Sequence, residues 1–162
     1  MKINITLNGT KQVFDAMPDE PLINVLRRNS CIKVKNGCGK GYCGSCTILL
    51  NDRPVASCKI PFALAKDTDI VTLDYFERTQ EYSDIMKGFK KAGIQLCGYC
   101  DAGKIFSTYQ ILKNPNIPKR KEITEALQHL APCCVDLETL VNGVIYTITL
   151  RKQQIERITD SH

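Results

Sequence analysis

Cysteine spacing constrains this chain more than any other feature. Cys38, Cys43 and Cys46 form a C-x4-C-x2-C loop, and Cys58 follows after eleven residues. This is the ligand order of plant-type 2Fe-2S centres, where two sulfide-bridged ferric ions need four thiolates converging on one small volume. A tight loop would deliver three of them and a strand end the fourth. Gly37, Gly39, Gly41 and Gly44 interleave with the cysteines and are the candidate cofactor-binding glycines. Glycine takes positive φ freely and lets backbone N–H groups reach the sulfurs, where they offset negative charge. A four-cysteine zinc site is the competing reading, but zinc ribbons use two C-x2-C knuckles and this loop has one. Gly39-x-Gly41-x-x-Gly44 also matches the dinucleotide fingerprint, which requires a strand before it and a helix after it; here a strand-like segment follows.

The remaining cysteines are Cys31, Cys97, Cys100, Cys133 and Cys134. Cys31, beside Ile32, reads as a buried core thiol. The start, Met-Lys-Ile-Asn-Ile-Thr-Leu-Asn, has no apolar core of a signal peptide, so a cytoplasmic setting is expected. A reducing compartment favours metal ligation over disulfides. No apolar run approaches the roughly 18 residues of a bilayer span, so no membrane association is expected.

The formal net charge is +5, yet the basic residues are scattered and do not form a nucleic-acid-binding stripe. An oxidised 2Fe-2S centre held by four thiolates carries −2, so two such centres would bring the total to about +1. There are two histidines, His129 and His162, neither with a nucleophile nearby, and no catalytic residue is expected.

Lys2 to Leu7 alternates like a half-buried strand, Asn8-Gly9 is a hairpin turn, and Lys11 to Phe14 pairs back. Pro21 suits the first position of a helix bearing Leu22, Ile23, Val25 and Leu26, which should stop near Asn29. After the cysteine loop, strands are expected at Thr47 to Leu50, Val55 to Cys58 and Ile70 to Leu73. Hairpin, helix, then further strands is a β-grasp pattern. Helices are then expected from Ser83 to Gly93, from Asp101 to before Pro115, from Glu122 to Leu130, and from Asp136 onward. The β-branched run Val144 to Leu150 favours strand by propensity. The fold class is therefore α+β, with a ferredoxin-like β-grasp domain over 1–76 and a helical domain over 80–162, joined by a polar stretch at Glu77 to Glu81.

Cys97-Gly98-Tyr99-Cys100, followed by Cys133-Cys134, is weak evidence alone, since a single C-x-x-C also suits a redox dithiol or half a zinc site. The whole order is specific: Asn-Gly hairpin, Gly-Cys-Gly-Lys-Gly-Tyr-Cys-Gly-Ser-Cys-Thr, Pro-Val-Ala-Ser-Cys, Cys-Gly-Tyr-Cys, helix, cysteine pair, helix. It resembles the small iron-sulfur subunit of the xanthine dehydrogenase and carbon monoxide dehydrogenase family of molybdenum hydroxylases, over nearly the whole chain. The resemblance implies a β-grasp domain and a four-helix domain, each with one 2Fe-2S cluster and neither with a substrate site. It implies Cys38, Cys43, Cys46 and Cys58 as ligands of a cluster facing the FAD of a medium subunit. Cys97, Cys100, Cys133 and Cys134 would hold the cluster facing the molybdopterin of a large subunit. A free ferredoxin-like carrier and a zinc-stabilised interaction protein are the alternatives.

The departures lie in the second half. The family carries C-R-C at the later ligands; counting back from Asn142 puts Pro132 and Cys134 at its two cysteines and Cys133 at its arginine. Adjacent residues of an extended strand point to opposite sides, so Cys133 and Cys134 need a turn to bind together, which Pro132 could set up through its own φ and through Ala131. The family's glutamine before C-x-x-C is Leu96 here, with Gln95 one residue early, and Asp101-Ala102 replaces its Thr-Pro.

Overall fold

The computed structural model describes residues 1–130 and 133–161. Ala131 and Pro132, on which the expected turn rests, lie outside the described residues.

Strand β1 (Lys2–Leu7) buries Ile3, Ile5 and Leu7 on one face, as the alternation requires, and pairs antiparallel with β2 (Thr10–Asp15). Asn8 (φ 50°) and Gly9 (φ 82°) form the two-residue turn between them, the left-handed pair that matches strand twist in a tight hairpin. Helix α1 (Leu22–Arg28) lays Leu22, Ile23, Val25 and Leu26 into the core. Pro21 precedes its first residue as the N-cap and bridges to Pro61.

Strands β3 (Thr47–Leu50) and β4 (Arg53–Ala56) form a second hairpin about Asn51 and Asp52, and β5 (Asp69–Val71) runs between β1 and β3. The order β2-β1-β5-β3-β4 is mixed, with only the β1–β5 pair parallel. The expected strand at Val55 to Cys58 ends at Ala56, because Ser57–Lys59 turns into a 3-10 helix whose Ser57 hydroxyl donates to the Cys46 carbonyl. Leu73 likewise leaves its expected strand to open the short helix α2 (Leu73–Phe76).

Helices α3 (Gln80–Lys91), α4 (Asp101–Leu112), α5 (Arg120–Leu127) and α6 (Leu137–Asp160) build the rest. Thr79, not Ser83, caps α3, accepting from the Tyr82 N–H at 3.2 Å. Asp136 caps α6 as expected, at 2.8 Å from the Thr139 N–H. Val144 to Leu150 lies within α6 and is not a strand. Tertiary packing overrides its propensity: a Cβ on Gly88 of α3 would sit 2.0 Å from Thr147 Oγ1, and one on Gly143 would sit 2.8 Å from the Phe89 ring. Two helices can approach so closely only where one presents glycine.

Two buried clusters result. One lies between the sheet and α1, around Ile5, Leu26, Ile48, Phe62 and Ile70. The other gathers Phe89, Ile105, Phe106, Leu127 and Val144, and takes in Leu49 from β3 and Leu73 and Phe76 from α2. Helix α4 packs on β3 and β4, and Asp52 in their turn accepts from Tyr109 Oη at 2.9 Å and pairs with Lys113.

Candidate metal centres

The first cysteine loop spans the gap between α1 and β3. Gly39, Gly41 and Gly44 have φ of 64°, 86° and 79°, so the chain coils tightly and turns its N–H groups inward. The Lys40 N–H donates to Cys38 Sγ at 3.3 Å, and those of Cys38 and Ser45 to Cys43 Sγ at 3.4 Å each. Gly37 has no room for a side chain, since its Cβ would lie 2.6 Å from Cys43 Sγ. Cys46 is buried, while Cys38, Cys43 and Cys58 are half-buried.

Electrostatics divide this group. Partial burial works to raise Cys38, but N–H donors from Lys40, Cys43 and Tyr42 outweigh it and bring the thiol down to about 6. Burial, then the Cys46 thiol, push Cys58 up to about 11. Thiolates at this spacing repel one another, so the full set ionises only around cations. Ser45 Oγ is buried beside Cys43 and is the single buried side-chain polar atom without a partner among the described residues. A loop of three cysteines with inward N–H groups and an unpaired hydroxyl, and Cys58 on the 3-10 turn that bonds back to Cys46, fits an anionic metal-sulfide centre.

The second group comes from three segments. Cys97 follows α3, Cys100 stands at the N-cap of α4, and Cys133 and Cys134 lie in the bends before α6. Their four sulfurs all fall within 4.8 Å of one another. Thus two adjacent cysteines do reach one point, through a bent backbone from Cys133 to Val135. The backbone N–H groups of Cys100 and Tyr99 bring Cys97 down to about 6, and the Cys100 and Cys97 sulfurs push Cys133 up to about 11. Asp101 does not cap α4 as expected for a helix start; its carboxylate turns back to accept from the Gly98 N–H at 3.0 Å, bracing the C-x-x-C loop.

The segments that carry the two groups touch. A Cβ on Gly44 would lie 3.2 Å from Gly103 Cα, and one on Gly103 would lie 2.8 Å from Gly44 Cα, so the first loop touches the first turn of α4 backbone to backbone. Tyr99 Oη donates to the Asn36 carbonyl at 2.8 Å, a second link between the loops.

Comparison with known proteins agrees in both halves. Residues 5–70 match the family of 2Fe-2S iron-sulfur cluster binding domains, and residues 72–144 match a separate [2Fe-2S] binding domain family. The xanthine dehydrogenase iron-sulfur-binding subunit of Escherichia coli O157:H7 is 34% identical over 146 residues, 88% of this chain and 91% of that subunit. The chain belongs to the small 2Fe-2S subunits of the xanthine dehydrogenase-type molybdenum hydroxylases. The nicotinate dehydrogenase small FeS subunit of Eubacterium barkeri is 35% identical, over 77% of this chain and 80% of its own. Among solved structures, a chain of quinoline 2-oxidoreductase from Pseudomonas putida 86 superposes with a TM-score of 0.80 at 27% identity, over 94% of this chain and 96% of that one. Aldehyde oxidoreductase from Desulfovibrio desulfuricans superposes with a TM-score of 0.81 at 26% identity, where the match covers 94% of this chain and 17% of that longer one.

The chain therefore carries two 2Fe-2S binding domains, and it is an iron-sulfur subunit of an oxidoreductase complex. Leu96 is half-buried against the second core, and Gln95, two residues before Cys97, is exposed. Cys31 is buried, and burial above all pushes it up to about 11, as suits an inert core thiol. Sequence reasoning missed three residues: Gly103, whose lack of a side chain matters only opposite Gly44; Tyr99, whose hydroxyl crosses to Asn36; and Lys104. The last had a legible signal, a lysine four residues after Cys100 beside apolar Ile105 and Phe106.

Proposed function

We propose that this chain relays electrons through two 2Fe-2S clusters between a large molybdopterin-binding subunit and a medium FAD-binding subunit of a cytoplasmic hydroxylase or dehydrogenase. The ligands are Cys38, Cys43, Cys46 and Cys58 for one cluster and Cys97, Cys100, Cys133 and Cys134 for the other. The two domains divide at 1–76 and 80–162. The observation that carries this reading is the backbone contact, at Gly44 and Gly103, between the loop of the first cysteine group and the helix start of the second.

When bound, each cluster supplies reversible one-electron storage. The protein's own residues hold and insulate it. Backbone N–H groups of Lys40 and Ser45 face the first group's sulfurs, and those of Tyr99 and Cys100 face the second's, so negative charge meets fixed donors. Each group also has an outward side. Gly39, Lys40, Gly41 and Tyr42 are exposed over the first, as are Cys97, Cys133 and Cys134 at the second. Carrier segments in contact and outer faces open suit entry at one end and exit at the other.

A subunit role is favoured over a free carrier by an apolar groove between the end of α4 and α6. It is lined by Ile111, Leu112, Ile117, Pro118, Ile148 and Ile155, of which Ile117 and Ile155 are more than three-fifths exposed. Exposed apolar surface of this kind marks contact with another protein. Anaerobic purification from the native cell should bring down a large and a flavin-containing subunit, with about four irons and four labile sulfides per chain of this subunit. Reduced samples should show two distinct paramagnetic centres. A colourless, zinc-bearing chain would refute the assignment, and a fully active lone chain would favour the free carrier.

A further inference from the structure

Lys104 is 3% exposed, in the first turns of α4. A helical side chain leans toward the helix N-terminus, so its ammonium reaches back one turn and donates to Cys100 Sγ at 2.9 Å. Two forces oppose a cation there. Burial strips its hydration, and the positive end of the helix dipole repels it. Among the described residues no carboxylate lies within ion-pair distance of Lys104. The surroundings screen it poorly, since the cavity beside it, of about 200 Å³, is walled mainly by Leu127, Leu130, Val135 and Leu140. The negative charge that compensates this lysine must therefore come from the cysteine group, whose Cys100 sulfur it touches and whose other three sulfurs lie within 4.8 Å of that one.

We infer that Lys104 is a built-in counter-ion of the second centre, acting through the Cys100 thiolate to favour the reduced state and set that centre's potential above what the four thiolates alone would give. The inference rests on the two-cluster reading above. Reduction adds one electron, delivered by the preceding redox group of the complex, takes one ferric ion to ferrous, and makes or breaks no bond. The centre's charge goes from −2 to −3. A fixed cation stabilises the more negative state more, and hydrogen bonds to the sulfurs act in the same direction. Among the described residues the first group's sulfurs accept from backbone N–H groups and from no lysine. The two centres of one chain thus differ in their nearest formal charge.

The test is a potentiometric titration of the intact complex, following each centre's paramagnetic signal, for the wild type, Lys104→Met and Lys104→Arg. Two signals in the wild type establish the underlying reading independently of this step. At a fixed potential, Lys104→Met should lower the reduced-to-oxidised ratio of the second centre at least tenfold, about 59 mV for a one-electron couple. The first centre should stay unchanged, and Lys104→Arg should follow the wild type. Coincidence of Lys104→Met with the wild type, an equal shift of both centres, or a matching shift in Lys104→Arg would overturn the inference. If Lys104→Met loses the second centre's iron while Lys104→Arg keeps it, the charge requirement stands. Loss in both variants would show that the shape of lysine, not its charge, is what the site needs.

Discussion

At the scale of single residues, the second cysteine group poses the sharper question, because two of its members are neighbours in the chain. Cys133 and Cys134 bring both sulfurs into the same 4.8 Å cluster as Cys97 and Cys100, which an extended backbone would forbid. Cys133→Ser should therefore abolish or shift the second centre's paramagnetic signal, leave the first intact, and halve the iron content to about two per chain. Unchanged signals from both centres would mean that the fourth ligand lies elsewhere. The cysteines of both groups were legible because thiol spacing is a one-dimensional signature of a three-dimensional demand. Lys104 stands one helix turn after Cys100 and so was within reach of the sequence, but its burial without a carboxylate partner, which gives the contact its meaning, shows only in the packed structure.

At the scale of elements, most of the sheet follows from alternation and turn chemistry, and its hairpins stand where Asn8-Gly9 and Asn51-Asp52 put them. Local signals failed where packing between elements decides. Val144 to Leu150 carries β-branched residues, yet it lies in α6 because Gly88 of α3 leaves room for Thr147 against its backbone. Gly88→Ala would force the helices apart, with a Cβ 2.7 Å from the Thr147 nitrogen. The relief from glycine's helix penalty, about 1 kcal/mol, is smaller than the cost of overpacking against backbone, about 3 kcal/mol. The net loss of about 2 kcal/mol should lower the melting midpoint by roughly 6 °C. Calorimetry on the cluster-loaded protein would measure it, and an unchanged or higher midpoint would show that α3 and α6 can separate cheaply. Cap choice failed for a related reason: Thr79 and Ser83 are both competent, and the Thr79 hydroxyl, which also donates to the carbonyl of Phe76 in the second core, takes the role.

For the whole molecule, the join between sheet and helices has an apolar part at Leu49, Leu73 and Phe76 and a polar clasp at the β3–β4 turn. Burial works to raise the Asp52 carboxyl, but Lys113 and Tyr109 outweigh it and hold it below its ordinary value. A lowered carboxyl contributes its stabilisation in full above the unfolded value, near pH 4, and loses it as pH falls through the folded one. Asp52→Asn keeps a residue tolerant of the positive φ of 67° there. It should cost about 0.5 kcal/mol at pH 7, as exposed pairs do. The difference in melting midpoint between the two proteins should shrink as pH falls below about 4 and vanish once the folded carboxyl is protonated, and a difference that persists there would assign the effect to the turn rather than the charge.

The contact between Gly44 and Gly103 has a consequence for how this subunit can fail. Gly103 lies three residues beyond Cys100, in the same turn of α4, so the joint that mates the two halves and one anchor of the second cysteine group form a single rigid piece. A chain that never received its iron, or lost it to oxidation, would lack the metal-thiolate ties that hold three segments together at that turn and so would loosen the seam between its halves. Cofactor status is then written into the subunit's outline, and a larger partner that grips both halves would sort loaded copies from empty ones by shape alone.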